Sequence, residues 1–183
     1  MPNDGVSRRQ WLAATPLGAA VLAAQQHAHE VTQSTKPASF SVLDPGAAHE
    51  IEAIASQIIP SDGSPGAREA GVIYFIDCAL ATFDHDKREV YTKGLEAARA
   101  ARNAMFPGSK SIAALSPDDQ IRLLEAIEKT EFFEQVRTHT ILGFFGNRSY
   151  GGNRDLAGWK LIGFEDCFQF EPPFGYYDAE RKR

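Results

Sequence analysis

From Pro45 onward, apolar residues recur at spacings of three and four, and no segment carries the convincing period-2 alternation of a half-buried strand. Five helical segments follow. The first runs from about Pro45 to Ile59, with Ile51, Ile54 and Ile58 on one face and Pro60 as its stop. The turn formers Pro60-Ser61-Asp62-Gly63-Ser64-Pro65-Gly66 separate it from the second, from about Ala67 to Phe83. Val72, Phe75, Ile76, Ala79, Leu80 and Phe83 make that stripe the broadest, so this segment is expected at the centre. The third spans about Lys87 to Phe106, with Tyr91, Leu95, Ala98 and Met105 near one face. Ser116-Pro117-Asp118-Asp119 starts the fourth with a serine cap, a proline in the first turn and two acids, and Ile121, Leu124 and Ile127 are expected to face the core. The fifth begins near Thr130 and carries Phe132, Phe133, Val136, Thr140 and Phe144. The expected fold is all-α: a single compact helical domain of about five to six helices, ending in an irregular segment rich in glycine and aromatics.

That segment, Gly143 to Phe164, breaks the pattern. Gly143 and Gly146 flank two phenylalanines, Tyr150-Gly151-Gly152-Asn153 reads as a tight turn, and Asp155 is placed to cap a short helix through Leu161. Its aromatics predict a packed corner. Neither GxGxxG nor a P-loop pattern is present, which leaves nucleotide phosphates unsupported as ligands.

Composition narrows the function classes. The chain of 183 residues carries a formal charge of −5 with no basic stripe, which argues against a nucleic-acid partner. Its 43% hydrophobic content is that of a folding chain. There is no CxxC, CxxCH or Cys/His cluster to hold zinc, haem or iron–sulfur. The two cysteines, Cys78 and Cys167, leave two readings open: one disulfide in an oxidising compartment, or a small buried Cys78 on a helix.

The N-terminus reads as an address. Arg8-Arg9 precedes a mildly apolar run from Ala13 to Ala24, and small residues follow toward Ala28. The run is about half of what a bilayer needs and Pro16 interrupts it, so it suits a signal better than a span. The paired arginines match a twin-arginine signal, with Trp11 where such signals usually carry phenylalanine. Such a signal implies export of a folded protein by the twin-arginine translocase. The expected organisation is a signal over 1–28, a Ser/Thr/Pro-rich linker over 29–44 and the helical domain over 45–183.

Several polar residues could bear chemistry. Asp77 lies within the apolar stripe of the second segment, where a carboxylate needs a partner. It reads as an ion pair or cap, with Arg68 as one candidate, before it reads as an acid or base. Asp84-His85-Asp86 reads as a solvated turn with one aspartate capping the next helix, because neighbouring side chains diverge where a metal needs convergence. His139 has no matching nucleophile or base motif and reads as a packing histidine, and Arg137 as an ion-pair member. Ser61 and Asp62 read as turn residues. No catalytic residue, bound cofactor or metal is assigned within the chain.

Several stretches together resemble one family. They are Ile58-Ile59-Pro60, Gly66-Ala67-Arg68-Glu69-Ala70-Gly71-Val72 with Phe75-Ile76-Asp77, and Phe132-Phe133 with Val136-Arg137. Most specific are Gly143-Phe144-Phe145, Tyr150-Gly151-Gly152-Asn153 and Gly158-Trp159-Lys160-Leu161-Ile162-Gly163. The chain resembles gluconate 2-dehydrogenase subunit 3, the small subunit of membrane-associated flavin dehydrogenases. The resemblance implies a non-catalytic subunit. Its partners would be an FAD-bearing large subunit that oxidises a sugar or sugar acid and, often, a multihaem cytochrome c. It implies an escort that carries the folded flavoprotein out by the twin-arginine route and supports its maturation. The complex would then be periplasmic, at the outer face of the cytoplasmic membrane.

Six aromatics fall between Phe164 and Tyr177, with Pro172 and Pro173 keeping that region extended. They either wrap the domain or lie on a partner. The candidate interface residues are Tyr150, Trp159, Phe168, Phe170, Phe174 and Tyr176. Two other function classes stand beside the subunit: a stand-alone periplasmic binding module, and an enzyme using Asp77, His85 or His139.

Overall fold

The structure is a computed structural model that describes residues 39–167. The described residues form six α-helices joined by loops and short 3₁₀ turns, with no strand among them. Arg8, Arg9, Phe168, Phe170, Phe174 and Tyr176 lie outside the described residues.

Helix α1, Pro45–Ile58, starts where the Asp44 carboxylate accepts hydrogen bonds from Gly46 N and Ala47 N, both at 2.9 Å, with Pro45 in the first turn. Helix α2, Val72–Ala81, is shorter than its apolar stripe predicts. Gly71 sits at φ +67°, a left-handed conformation that separates the turn over 67–71 from the helix. At the other end Thr82 leaves helical geometry, so Phe83 points outward and is 52% exposed instead of joining the core. Helix α3 is Arg88–Met105, and Tyr91, Leu95 and Ala98 are its buried apolar residues. Helix α4, Pro117–Ile127, has the expected Ser116 cap, which accepts from Asp119 N at 3.2 Å. Its buried face is Leu123, Leu124 and Ile127; Ile121 is exposed, because it falls about 160° around the helix from Leu123, once 100° per residue is counted from that fully buried position. Helix α5 is Glu131–Phe145, capped by Thr130, and α6 is Ala157–Ile162.

The core lies around α2, where Val72, Ile73, Phe75, Ile76, Cys78, Ala79 and Leu80 are all buried against α1 and α5. Burying each large apolar side chain stabilises by about 1.5–3 kcal/mol, so the α1–α2–α5 layer supplies much of the stability. Charges inside are paired. Glu50 on α1 bonds Arg99 and Arg102 of α3, and its Oε1 accepts the Ile112 N–H at 3.0 Å. This cluster ties α1 to α3 and to the loop before α4.

Asp77 forms a different tie. Its Oδ2 accepts Ser41 N at 2.7 Å, and its Oδ1 accepts Val42 N and Leu43 N at 2.9 Å each. Phe40 stacks on Tyr74 with ring centroids 5.4 Å apart. Residues 40–43, expected as linker, are therefore a strap laid on α2. The candidate partner Arg68 instead pairs with Glu52 at 3.4 Å. The candidate disulfide is corrected as well: Cys78 is a buried free thiol whose pKa is raised by burial, and Cys167 is free and exposed.

Candidate functional site

The glycine-rich stretch folds into a corner that closes the end of α5. Gly146 caps α5, its N–H donating to Leu142 O at 2.8 Å. The chain then doubles back so closely that backbones touch. A Cβ on Gly152 would lie 2.1 Å from Gly143 O, and one on Gly158 would lie 2.0 Å from Phe144 O. Any side chain at these two positions collides with a main-chain oxygen, so the approach of α6 to α5 requires glycine on that surface.

Two side chains lock the approach. Asn153 is fully buried; its Nδ2 donates to Gly146 O and its Oδ1 accepts Gly158 N, both at 2.9 Å. Trp159 donates from Nε1 to Phe145 O at 2.7 Å and is 9% exposed. Asp155 is not the residue that caps α6: Leu156 stands at the N-cap position and makes no side-chain bond, and the first-turn Gly158 N–H is satisfied by Asn153 instead. Asn153, Asp155 and Leu156 all have positive φ, at 49°, 56° and 58°. Such residues cost about 1–3 kcal/mol each and persist only where the surroundings over-determine them. Here the Asn153 bonds, the Trp159 bond and a 2.9 Å bond from Arg154 N to Ala70 O do so.

The corner carries an exposed apolar rim. Leu161, Ile162 and Phe164 are 53%, 59% and 49% exposed, and Phe164 packs edge-on against Trp159 with centroids 5.0 Å apart. On another edge, Tyr150 is exposed beside Phe83, with centroids 6.4 Å apart. Ile141 and Leu142 on α5 are exposed as well. Of the candidate interface residues within the described chain, Tyr150 thus lies on the surface, whereas Trp159 lies inside the corner with its ring used for packing. Leu161 and Ile162 were missed because a six-residue helix gives too short a pattern to phase.

The residues considered for catalysis are committed elsewhere. His139 is fully buried. Its Nδ1 lies 2.9 Å from Tyr91 Oη and its Nε2 lies 2.9 Å from Asp84 Oδ2. A proton on Nε2 donated to Asp84 leaves Nδ1 to accept the Tyr91 hydroxyl. Burial lowers the pKa of His139, against the pull of Asp84, so the ring is held neutral. Burial likewise pushes the Tyr91 phenol well above its ordinary range. The expected cap from Asp84 is thus replaced by a bond across 55 positions. Arg137 pairs with Glu134 at 3.3 Å. Ser61 donates to Glu69 at 2.6 Å, and this hydroxyl leads the contacts that hold the Glu69 carboxyl below its usual range. Among the described residues, no group of three or more His, Cys, Asp or Glu could hold a metal, and no helix is long and apolar enough to cross a membrane.

No curated protein and no solved structure matches the chain. The family described as gluconate 2-dehydrogenase subunit 3 matches residues 47–166, a span that runs from the first turns of α1 through the glycine corner to the apolar rim. An all-α body and an unbroken match over well more than half of the sequence lead to one assignment: the chain belongs to the gluconate 2-dehydrogenase subunit 3 family.

Proposed function

We propose that this chain is the non-catalytic small subunit of a membrane-associated, FAD-dependent gluconate or sugar dehydrogenase complex. It escorts the folded flavoprotein subunit through twin-arginine export and supports its maturation and stability. The family match over 47–166 carries this reading. Arg8-Arg9 supports the route. A rigid corner with exposed Leu161, Ile162 and Phe164 supports a docking role, since exposed apolar clusters mark protein interfaces. The bonds of Asp77 and His139 to the protein's own groups support a chain without chemistry of its own. FAD resides in the large subunit and haem c in a cytochrome subunit where one is present. The assembled complex sits in the periplasm, at the outer face of the cytoplasmic membrane.

The test is deletion of the small subunit, with the flavoprotein followed by cell fractionation and FAD content. Stranding in the cytoplasm is expected, and the same result for Arg8→Lys with Arg9→Lys. Normal periplasmic flavoprotein in the deletion strain would refute the escort role.

A further inference from the structure

Arg154 stands at the start of the strained turn, and its side chain is unusual in having no acceptor. Its Nε is buried with no hydrogen-bond partner among the described residues, and its guanidinium forms no ion pair there. Its contact is with the Tyr74 ring, 5.5 Å from the centroid. A guanidinium keeps its charge and presents five donors in a planar fork, so a partly buried one without an acceptor is poised for an anion.

A cleft of about 440 Å³ opens beside it, between the loop over 63–65 and the start of α6. Arg154, Lys160, Glu69, Asp155, Ser64 and Leu161 are among its walls. Two acids share the cleft with the two cations, so its formal charge is balanced; what sets Arg154 and Lys160 apart is that neither is paired with either acid. Glu69 Oε2 already accepts from Ser61 Oγ and from Gly66 N, and Asp155 makes no ion pair with Arg154 or Lys160. Lys160 is exposed and equally unpaired. The cleft does not end in polar surface: Leu161 on its wall is followed by exposed Ile162 and Phe164. A cationic fork set next to an apolar rim suits a protein surface, whose acidic side chain enters the cleft while its apolar neighbours cover the rim.

We infer that this cleft is a receptor for an acidic side chain of the dehydrogenase's large subunit, with the carboxylate held by Arg154 and Lys160 and flanked by Leu161. This rests on the subunit reading above. The test uses the tagged full-length chain, recovered from periplasm with whatever flavoprotein it holds and treated with a zero-length carbodiimide. The expected result is an amide cross-link from Lys160 to an Asp or Glu of the large subunit. Arg154→Gln is expected to lower the retained large subunit about tenfold, as for a central charged anchor. Arg154→Lys should restore part of it, and Lys160→Glu should weaken retention in a salt-dependent way. If Arg154→Gln loses its helical circular dichroism, Lys160→Glu decides, since an exposed side chain can be changed without unfolding the domain. Wild-type chain that holds the flavoprotein while Lys160→Glu holds it equally well would overturn the receptor and leave the subunit reading standing. So would a Lys160 cross-link to this chain's own carboxylates. Wild-type chain that holds no flavoprotein would overturn both.

Discussion

The strap over 40–43 and the corner over 146–164 attach to the same helical body by opposite means. The strap is held by one added group: the Asp77 carboxylate accepts three consecutive backbone N–H bonds. The corner is held by groups left out: Gly152 and Gly158 let main chain meet main chain, and Asn153 and Trp159 close what remains. A single carboxylate is a point of failure that releases only what it holds. A backbone approach is part of the packing, so its loss is felt throughout the body.

The largest effect should come from Trp159→Ala. Truncating a buried tryptophan costs about 3–5 kcal/mol, and here the Phe145 carbonyl also loses its donor. Chemical denaturation should show a lower midpoint for the whole domain; loosening confined to residues after 157 would break the contrast. Gly158→Ala should follow, at about 3 kcal/mol, because its methyl meets a main-chain oxygen that cannot move aside. Loss of thermal stability reads it out. Asp77→Asn should cost about 2 kcal/mol, as charge-assisted bonds become neutral ones. Its signature is local: faster amide exchange at Ser41, Val42 and Leu43, with α5 and α6 protected as before. Exchange that rises equally in α5 would show that the strap belongs to the core.

The smallest effect is a pH dependence of the helical body that carries both attachments. His139 faces Asp84 and Tyr91 and is lowered in pKa by burial. The native state favours the neutral ring, so its full contribution is present above the ordinary value of about 6.5. As pH falls through that value toward the lowered one, the unfolded chain takes up a proton that the folded chain refuses, and stability declines. Melting temperatures between pH 7.5 and 5 should show this slope, and His139→Gln should flatten it. An unchanged slope in the variant would assign the dependence to other groups.

The helices and most of their starts were legible because period and caps are local signals. Ser116-Pro117 and Thr130 cap as their residue types require. The ends of α2 were less so, since an apolar stripe runs past Thr82 to Phe83 with no marker that the backbone turns. The ties were legible only as needs. A carboxylate within an apolar stripe announces that it must be satisfied, but the N–H groups that satisfy Asp77 belong to the backbone and leave no trace in residue identity. Asp84 and His139 are 55 positions apart, and Asp84 sits in a triplet whose local pattern suggests a cap. Asn153 looks like an ordinary turn residue in Tyr-Gly-Gly-Asn, yet it is the fully buried staple of the corner. The role of the corner as a packed structure was readable from its glycines and aromatics; the unpaired Arg154 was not, since absence of a partner is a property of three dimensions.

Tyr74 touches both attachments: Phe40 of the strap stacks on it, and Arg154 of the corner lies over it. One ring shared by two contacts makes them thermodynamically reciprocal. Whatever free energy a bound carboxylate changes at Arg154 through that ring, release or capture of the strap must change by the same amount at the other side. The strap over 40–43 and the cleft beside α6 are, in that sense, two inputs to one aromatic side chain.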